Sequence, residues 1–160
     1  MSAAFTGDKV DAWKLKLKEE EEVTEARREA EAGNGAAMYN LGHWYKYGLK
    51  SLAKDLAKAF EWFEKSHEAG DATGAGCLAW CYLLGKGVPK RPMRGAMLIG
   101  DAAGRGSKYV CFTLGRAYTE GIWGFPKDET MARRYYSRVA SASLDDLIDG
   151  SKGGSSHMAA

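Results

Sequence analysis

The strongest constraint on this chain is that it repeats itself. The segment LGHWYKYG, Leu41 to Gly48, returns as LAWCYLLG, Leu78 to Gly85, and again as LGRAYTEG, Leu114 to Gly121, at shifts of 37 and 36 residues. Leu41, Leu78 and Leu114 align, as do Tyr45, Tyr82 and Tyr118, and Gly48, Gly85 and Gly121. Gly42 and Gly115 align with Ala79. A second segment repeats in step, as DLAKAFEWFEKSHEAGD from Asp55, RPMRGAMLIGDAAGRGS from Arg91 and DETMARRYYSRVASASL from Asp128. It aligns Ala59 with Gly95 and Ala132, and Trp62 with Leu98 and Tyr135. The register slips once, in the loop from Gly85 to Arg91, which is one residue shorter than its counterparts. A period of this size means stacked copies of one supersecondary unit, each burying its apolar face against the next.

Each unit reads as two short helices. Asn34, Asp71 and Ser107 are good N-caps for the first helix, and each follows a glycine suited to ending the helix before it. Leu41 and Tyr45 lie four residues apart and share a helix face, which Ala37 extends back by one turn. Gly48, Gly85 and Gly121 end the first helix. Asp55 and Asp128 suit the start of the second, where a negative charge meets the positive end of the helix dipole. Pro89, Pro92 and Pro126 fall in or beside the loops, clear of helix interiors.

With three copies in register, the chain resembles the Sel-one-like repeat family, relatives of the tetratricopeptide repeats with a slightly longer unit. The resemblance rests on AMYNLGHWYKYG and DLAKAFEWFEKSHEAG in the first unit, LAWCYLLGKGVPKRP in the second and LGRAYTEGIWGFPKDETMARRYY in the third. It covers about residues 33–143. Ala79, Arg91 and Gly95 depart from the pattern, all in the middle unit. The resemblance implies an all-α, α/α solenoid with a right-handed superhelix, made of three helix-turn-helix repeats over 33–69, 70–105 and 106–143. It also implies a non-catalytic interaction module or adaptor, as scaffolds of this family are in signalling and protein quality control.

Solenoid ends need polar caps. Residues 11–32, DAWKLKLKEEEEVTEARREAEA, read as a highly charged capping helix, with 1–10 disordered. At the other end SLDDLIDG, with Ser143 as cap and Leu144, Leu147 and Ile148 as apolar contact, reads as a closing helix over 144–149. The small, polar tail 150–160 is expected to be disordered, and it resembles a remnant of cloning.

The 160 residues are 45% hydrophobic and 28% charged with a net charge of +2, so composition singles out no partner class. No apolar run is long enough to span a membrane, and the start of the chain carries no apolar signal core. Three cysteines, Cys77, Cys81 and Cys111, do not describe a disulfide framework. A reducing compartment, most simply the cytoplasm, is expected. Cys77 and Cys81 sit four apart and could touch one side of a metal ion, but zinc needs further ligands and no matching pair is present. His43 reads as a helix residue facing solvent. GDAAGRGSK does not fit the phosphate-loop spacing. No catalytic residue, cofactor or metal is therefore expected.

What remains is surface. In helical solenoids the first helices line a concave face, where ligands usually sit. The row beside the buried stripe runs through Asn40, His43 and Tyr47, then Cys77, Trp80 and Leu84, then Thr113, Arg116 and Glu120. The partner-binding set read from it is Asn40, His43, Tyr47, Trp80, Leu84, Thr113, Arg116 and Glu120, with Trp80 as the anchor type of an interface hot spot. Packing of Trp80 against a neighbouring element is the competing reading. Tyr39, Trp44 and Trp123 are further candidates for exposure. A protein or peptide partner is expected, and a homodimer is left open. The basic span 86–138 could instead meet nucleic acid or an acidic protein. Its charges do not share one helix face, so nucleic acid ranks below a peptide.

Overall fold

The structure, a computed structural model, describes residues 7–140, and within them it is all helical. The elements in order are α1 (Gly7–Glu31), α2 (Gly35–Tyr47), α3 (Leu56–Glu68), α4 (Ala72–Leu84), α5 (Pro92–Gly104), α6 (Lys108–Glu120) and α7 (Glu129–Ser137). The repeat units are the pairs α2 with α3, α4 with α5, and α6 with α7. The first helices α2, α4 and α6 pack on one another in succession, whereas α3, α5 and α7 do not meet. The first helices therefore form an inner layer and the second helices splay outward.

Local chemistry sets the helix ends. Asn34 Oδ1 accepts from the Ala36 and Ala37 amides at 3.0 and 3.2 Å. Asp71 Oδ1 accepts from Gly74 N–H, and Ser107 Oγ from Val110 N–H. Asp55 and Asp128 cap α3 and α7 in the same way, each at 3.0 Å. Arg91 stands where the other units have aspartate and gives α5 no side-chain cap. Pro92 opens that helix instead, with φ preset and no N–H to leave orphaned. Gly48, Gly85 and Gly121 close α2, α4 and α6 at φ +66°, a left-handed conformation that costs glycine little. The connection is clasped identically in all three units: the amides of Asp55, Arg91 and Asp128 donate to the carbonyls of Tyr45, Tyr82 and Tyr118 at 2.9, 2.8 and 2.9 Å.

The repeated leucines Leu41, Leu78 and Leu114 are fully buried. Where the two helices of a unit cross, small and large residues trade places. A Cβ on Gly42 would lie 2.6 Å from Phe63 Cε1, and one on Gly115 would lie 2.7 Å from Tyr136 Cε1. The middle unit has Ile99 at the position of Phe63 and Tyr136, and there the first helix carries Ala79. Gly95, which takes the place of Ala59 and Ala132, marks a closer approach of the two helices. A Cβ there would lie 2.6 Å from Leu83 Cγ and 2.8 Å from the Ala79 carbonyl oxygen. At Ala79 the departure is thus a compensated volume change and at Gly95 a closer approach, both suited to a close-packed crossing, whereas Arg91 alters the start of α5.

α1 caps the array by packing Val23, Ala26 and Ala30 on Ala37 and Leu41. It begins at Gly7, so residues 7–10, expected to lack structure, form its first turn, with Asp8 complementing the helix dipole. Its first half stands clear of the array and leaves Trp13, Leu15 and Leu17 exposed. The closing helix expected over 144–149 and the tail 150–160 lie outside the described residues.

Candidate functional site

The expected partner-binding row splits when placed in space. Asn40, together with Trp44, lines a groove walled by Glu21, Glu22, Glu25 and Glu29 of α1. His43 stands between Tyr39 and Tyr47, with ring centroids 5.8 and 4.9 Å away. Tyr39 is buried rather than exposed. Trp80 is also buried, only 6% exposed. Its ring packs against a neighbouring element, the competing reading, and is covered by the α6–α7 loop, with Trp123 at 4.8 Å and Phe125 at 6.4 Å between centroids. Arg116 lies over the Trp123 ring, 5.1 Å from its centroid, and pairs with Glu120 at 3.4 Å. Thr113 turns its hydroxyl back to the Tyr109 carbonyl. Trp80, Arg116 and Glu120 are therefore joined through Trp123, a residue the sequence pattern marked only as a candidate for exposure.

Tyr47, Trp80 and Leu84 come together in a cleft of about 160 Å³ between α2, α3 and α4. Its apolar walls are Leu56, Ala59, Phe63, Cys77, Trp80, Cys81 and Leu84, and Lys46, Lys54 and Lys86 stand at it. No carboxylate lines it among the described residues. The nearest in sequence, Asp55, is held by the α3 cap. Lys46 also lies 5.0 Å from the centroid of Tyr47. The cleft has room for one large side chain.

A second, more open groove of about 830 Å³ lies outside, along α5 and the end of α3. Met93 and Met97, 77% and 73% exposed, dominate it. A signal for it was present in the sequence. Met93 aligns with Ala57 and Thr130, and Met97 with Glu61 and Arg134, so two methionines stand where the other units are small or polar.

The thiols are set against reactivity. Burial pushes Cys77 up to about 12 and Cys81 up to about 11, and burial also raises Cys111. All three are free and protonated at neutral pH, whereas nucleophilic or metal-binding cysteine needs the thiolate. Among the described residues no three His, Cys, Asp or Glu side chains gather as metal ligands. No helix there is long and apolar enough to cross a membrane.

Burial, and then Lys46, hold His43 below the usual histidine value of 6.5. Above that value His43 is neutral folded or unfolded and contributes nothing to pH dependence. As pH falls through 6.5 the unfolded chain takes the proton first, so stability drops until pH passes the folded value. His43→Gln is therefore expected to lose less stability than the wild type between pH 7.5 and 5, as read by urea unfolding at each pH.

This geometry, helical hairpins stacked with their first helices inside, defines an α/α repeat solenoid. The comparisons with known proteins agree. The Sel1 repeat model matches residues 35–71, 77–98 and 109–144, more than half of the chain, and the chain belongs to the Sel1 repeat family. A solved Sel1 repeat protein from Oxalobacter formigenes superposes with a TM-score of 0.64 at 26% identity, over 76% of this chain and 49% of that one. A protective antigen of uropathogenic Escherichia coli displaying an SLR fold gives 0.54 at 25% identity, over 74% of this chain and 32% of that one. Among curated proteins, the chain is 37% identical over 78 residues to the ERAD-associated E3 ubiquitin-protein ligase component HRD3B of Arabidopsis thaliana. It is 34% identical over 74 residues to HRD3A, the component of the same description. These matches take in 49% and 46% of this chain but only 12% and 11% of those proteins.

Proposed function

We propose that this chain is a non-catalytic protein-interaction module that seats a segment of a partner protein on the inner layer, at the cleft of Tyr47, Trp80 and Leu84. The observation that carries this is subtraction of the repeat. Leu41, Tyr45, Gly48 and their counterparts recur because they build the scaffold. Tyr47, Leu84, Lys46 and Lys86 do not recur, and they converge on one apolar cleft. Two relatives are named as components of a ligase, and such a name fits a scaffolding role. Three free, buried thiols fit a reducing compartment, most simply the cytoplasm.

A protein partner is the better reading of the basic span too. Arg94, Arg116 and Arg138 lie over the rings of Tyr82, Trp123 and Tyr135. Arg105 pairs with Asp101 at 3.1 Å and bonds the Gly70 carbonyl. These side chains serve their own fold rather than a phosphate backbone.

The test is a photo-crosslinking residue placed at Tyr47 in the native cell. It is expected to capture a discrete partner, and Leu84→Arg, which puts a charge on the cleft wall, should abolish the capture while leaving the circular dichroism spectrum unchanged. Capture that persists undiminished in Leu84→Arg would remove the cleft from the interface.

A further inference from the structure

The cleft between the first two units has an internal counterpart. One unit further on, the chain supplies its own occupant: Trp123 packs in the cluster of Trp80, Leu83, Leu84 and Ile99, with Arg116 across its face. Trp123 does so at φ +58°, a left-handed backbone that costs a bulky residue about 1–3 kcal/mol and persists only where the surroundings enforce it. The aligned residue in the preceding loop is Gly87, at φ +73°. Both positions take a left-handed backbone, but where one loop extends an indole inward the other, one residue shorter, has no side chain. A Cβ at Gly87 would collide with the Leu56 carbonyl, so this position is closed to a plug of its own.

The first cleft also differs in charge. Lys46 aligns with Leu83 and Thr119, and Lys86 with Leu49 and Ile122, so both lysines are particular to this place. Lys54 recurs as Lys90 and Lys127 and belongs to the scaffold. None of the three lysines at the cleft pairs with a carboxylate among the described residues. The indole N–H of Trp80, one of the lining residues, is buried with no acceptor among the described residues, a donor whose desolvation is uncompensated.

We infer that the cleft accepts an acidic segment of a protein partner that inserts one aromatic or leucine-size side chain, taking the place that Trp123 takes one unit on, with carboxylates on either side of it meeting Lys46 and Lys86. This rests on the reading of the cleft as the partner site and names the partner's chemistry. Apolar burial supplies the anchor, and the unpaired lysines supply orientation and selection against basic sequences.

The experiment uses the whole chain and fluorescent heptapeptides: Glu-Asp-Glu-Phe-Glu-Asp-Glu, the same peptide with central alanine, and Lys-Arg-Lys-Phe-Lys-Arg-Lys. Fluorescence anisotropy is expected to show saturable, salt-sensitive binding of the first peptide alone. Combined Lys46→Glu and Lys86→Glu should weaken it by about tenfold or more, because each reversal sets like charges together. Both lysines are at the surface of the cleft, and an unchanged urea midpoint confirms that the variant is folded. Equal binding of the acidic and basic phenylalanine peptides, or no loss on double reversal, overturns the inference. So does failure of the acidic peptide to bind or to compete with the partner captured at Tyr47. In that last case continued capture, sensitive to Leu84→Arg, leaves the cleft as the partner site and removes only the acidic chemistry.

Discussion

Leu78→Ala is expected to lower the free energy of unfolding by about 2–5 kcal/mol, the range for truncating a buried leucine. Leu78 is 2% exposed and sits in the cluster formed by Tyr45, Phe63, Cys77 and Tyr82, so side chains from α2, α3 and α4 meet around it. The position matters beyond its area. In a stacked array each unit gains stability from its two interfaces, and Leu78 belongs to the middle unit, which has neighbours on both sides. The loss should appear as a lower urea midpoint. A change of only about 0.5 kcal/mol, as at surface positions, would place Leu78 outside the core and break the register that aligns it with Leu41 and Leu114.

How much of this was legible in the sequence depends on how local the cause is. The helix ends were, because Asn34, Asp71 and Ser107 act on amides two or three residues away, and glycine at positive φ acts on its own backbone. The repeat made the fold class legible, since aligning Leu41, Leu78 and Leu114 identifies a core face without any knowledge of neighbours. Trp80 was not legible in the same way. Its cover, Trp123, lies 43 residues on in the loop of the next unit, and no periodicity within α4 reports on it. The acidic groove beside Asn40 and Trp44 was not legible for a related reason: its other wall is α1, and a non-repeating cap leaves no trace in repeat alignment. The methionine groove shows the opposite case, since the alignment had already set Met93 and Met97 against small and polar counterparts.

The compensated crossings lead to the largest expected effect. Phe63 is 1% exposed, and its ring fills the space over Gly42 while also walling the inner cleft. Phe63→Ala is expected to cost about 3–5 kcal/mol through lost burial and the cavity it leaves. Gly42→Ala should cost about 1–3 kcal/mol, because the added methyl meets the ring at 2.6 Å and must displace it. The middle unit solves the same crossing with Ala79 and Ile99, so Gly42→Ala together with Phe63→Ile transplants that solution. The double variant should be more stable than the sum of its single losses predicts, with a coupling of about 0.5–3 kcal/mol as is found for residues in contact. Urea unfolding of the two singles and the double closes the cycle. Strict additivity would mean that Gly42 is small for a reason other than the ring above it. The pairing of glycine with aromatic and alanine with isoleucine would then be coincidence, and Ala79 and Ile99 would need separate explanations.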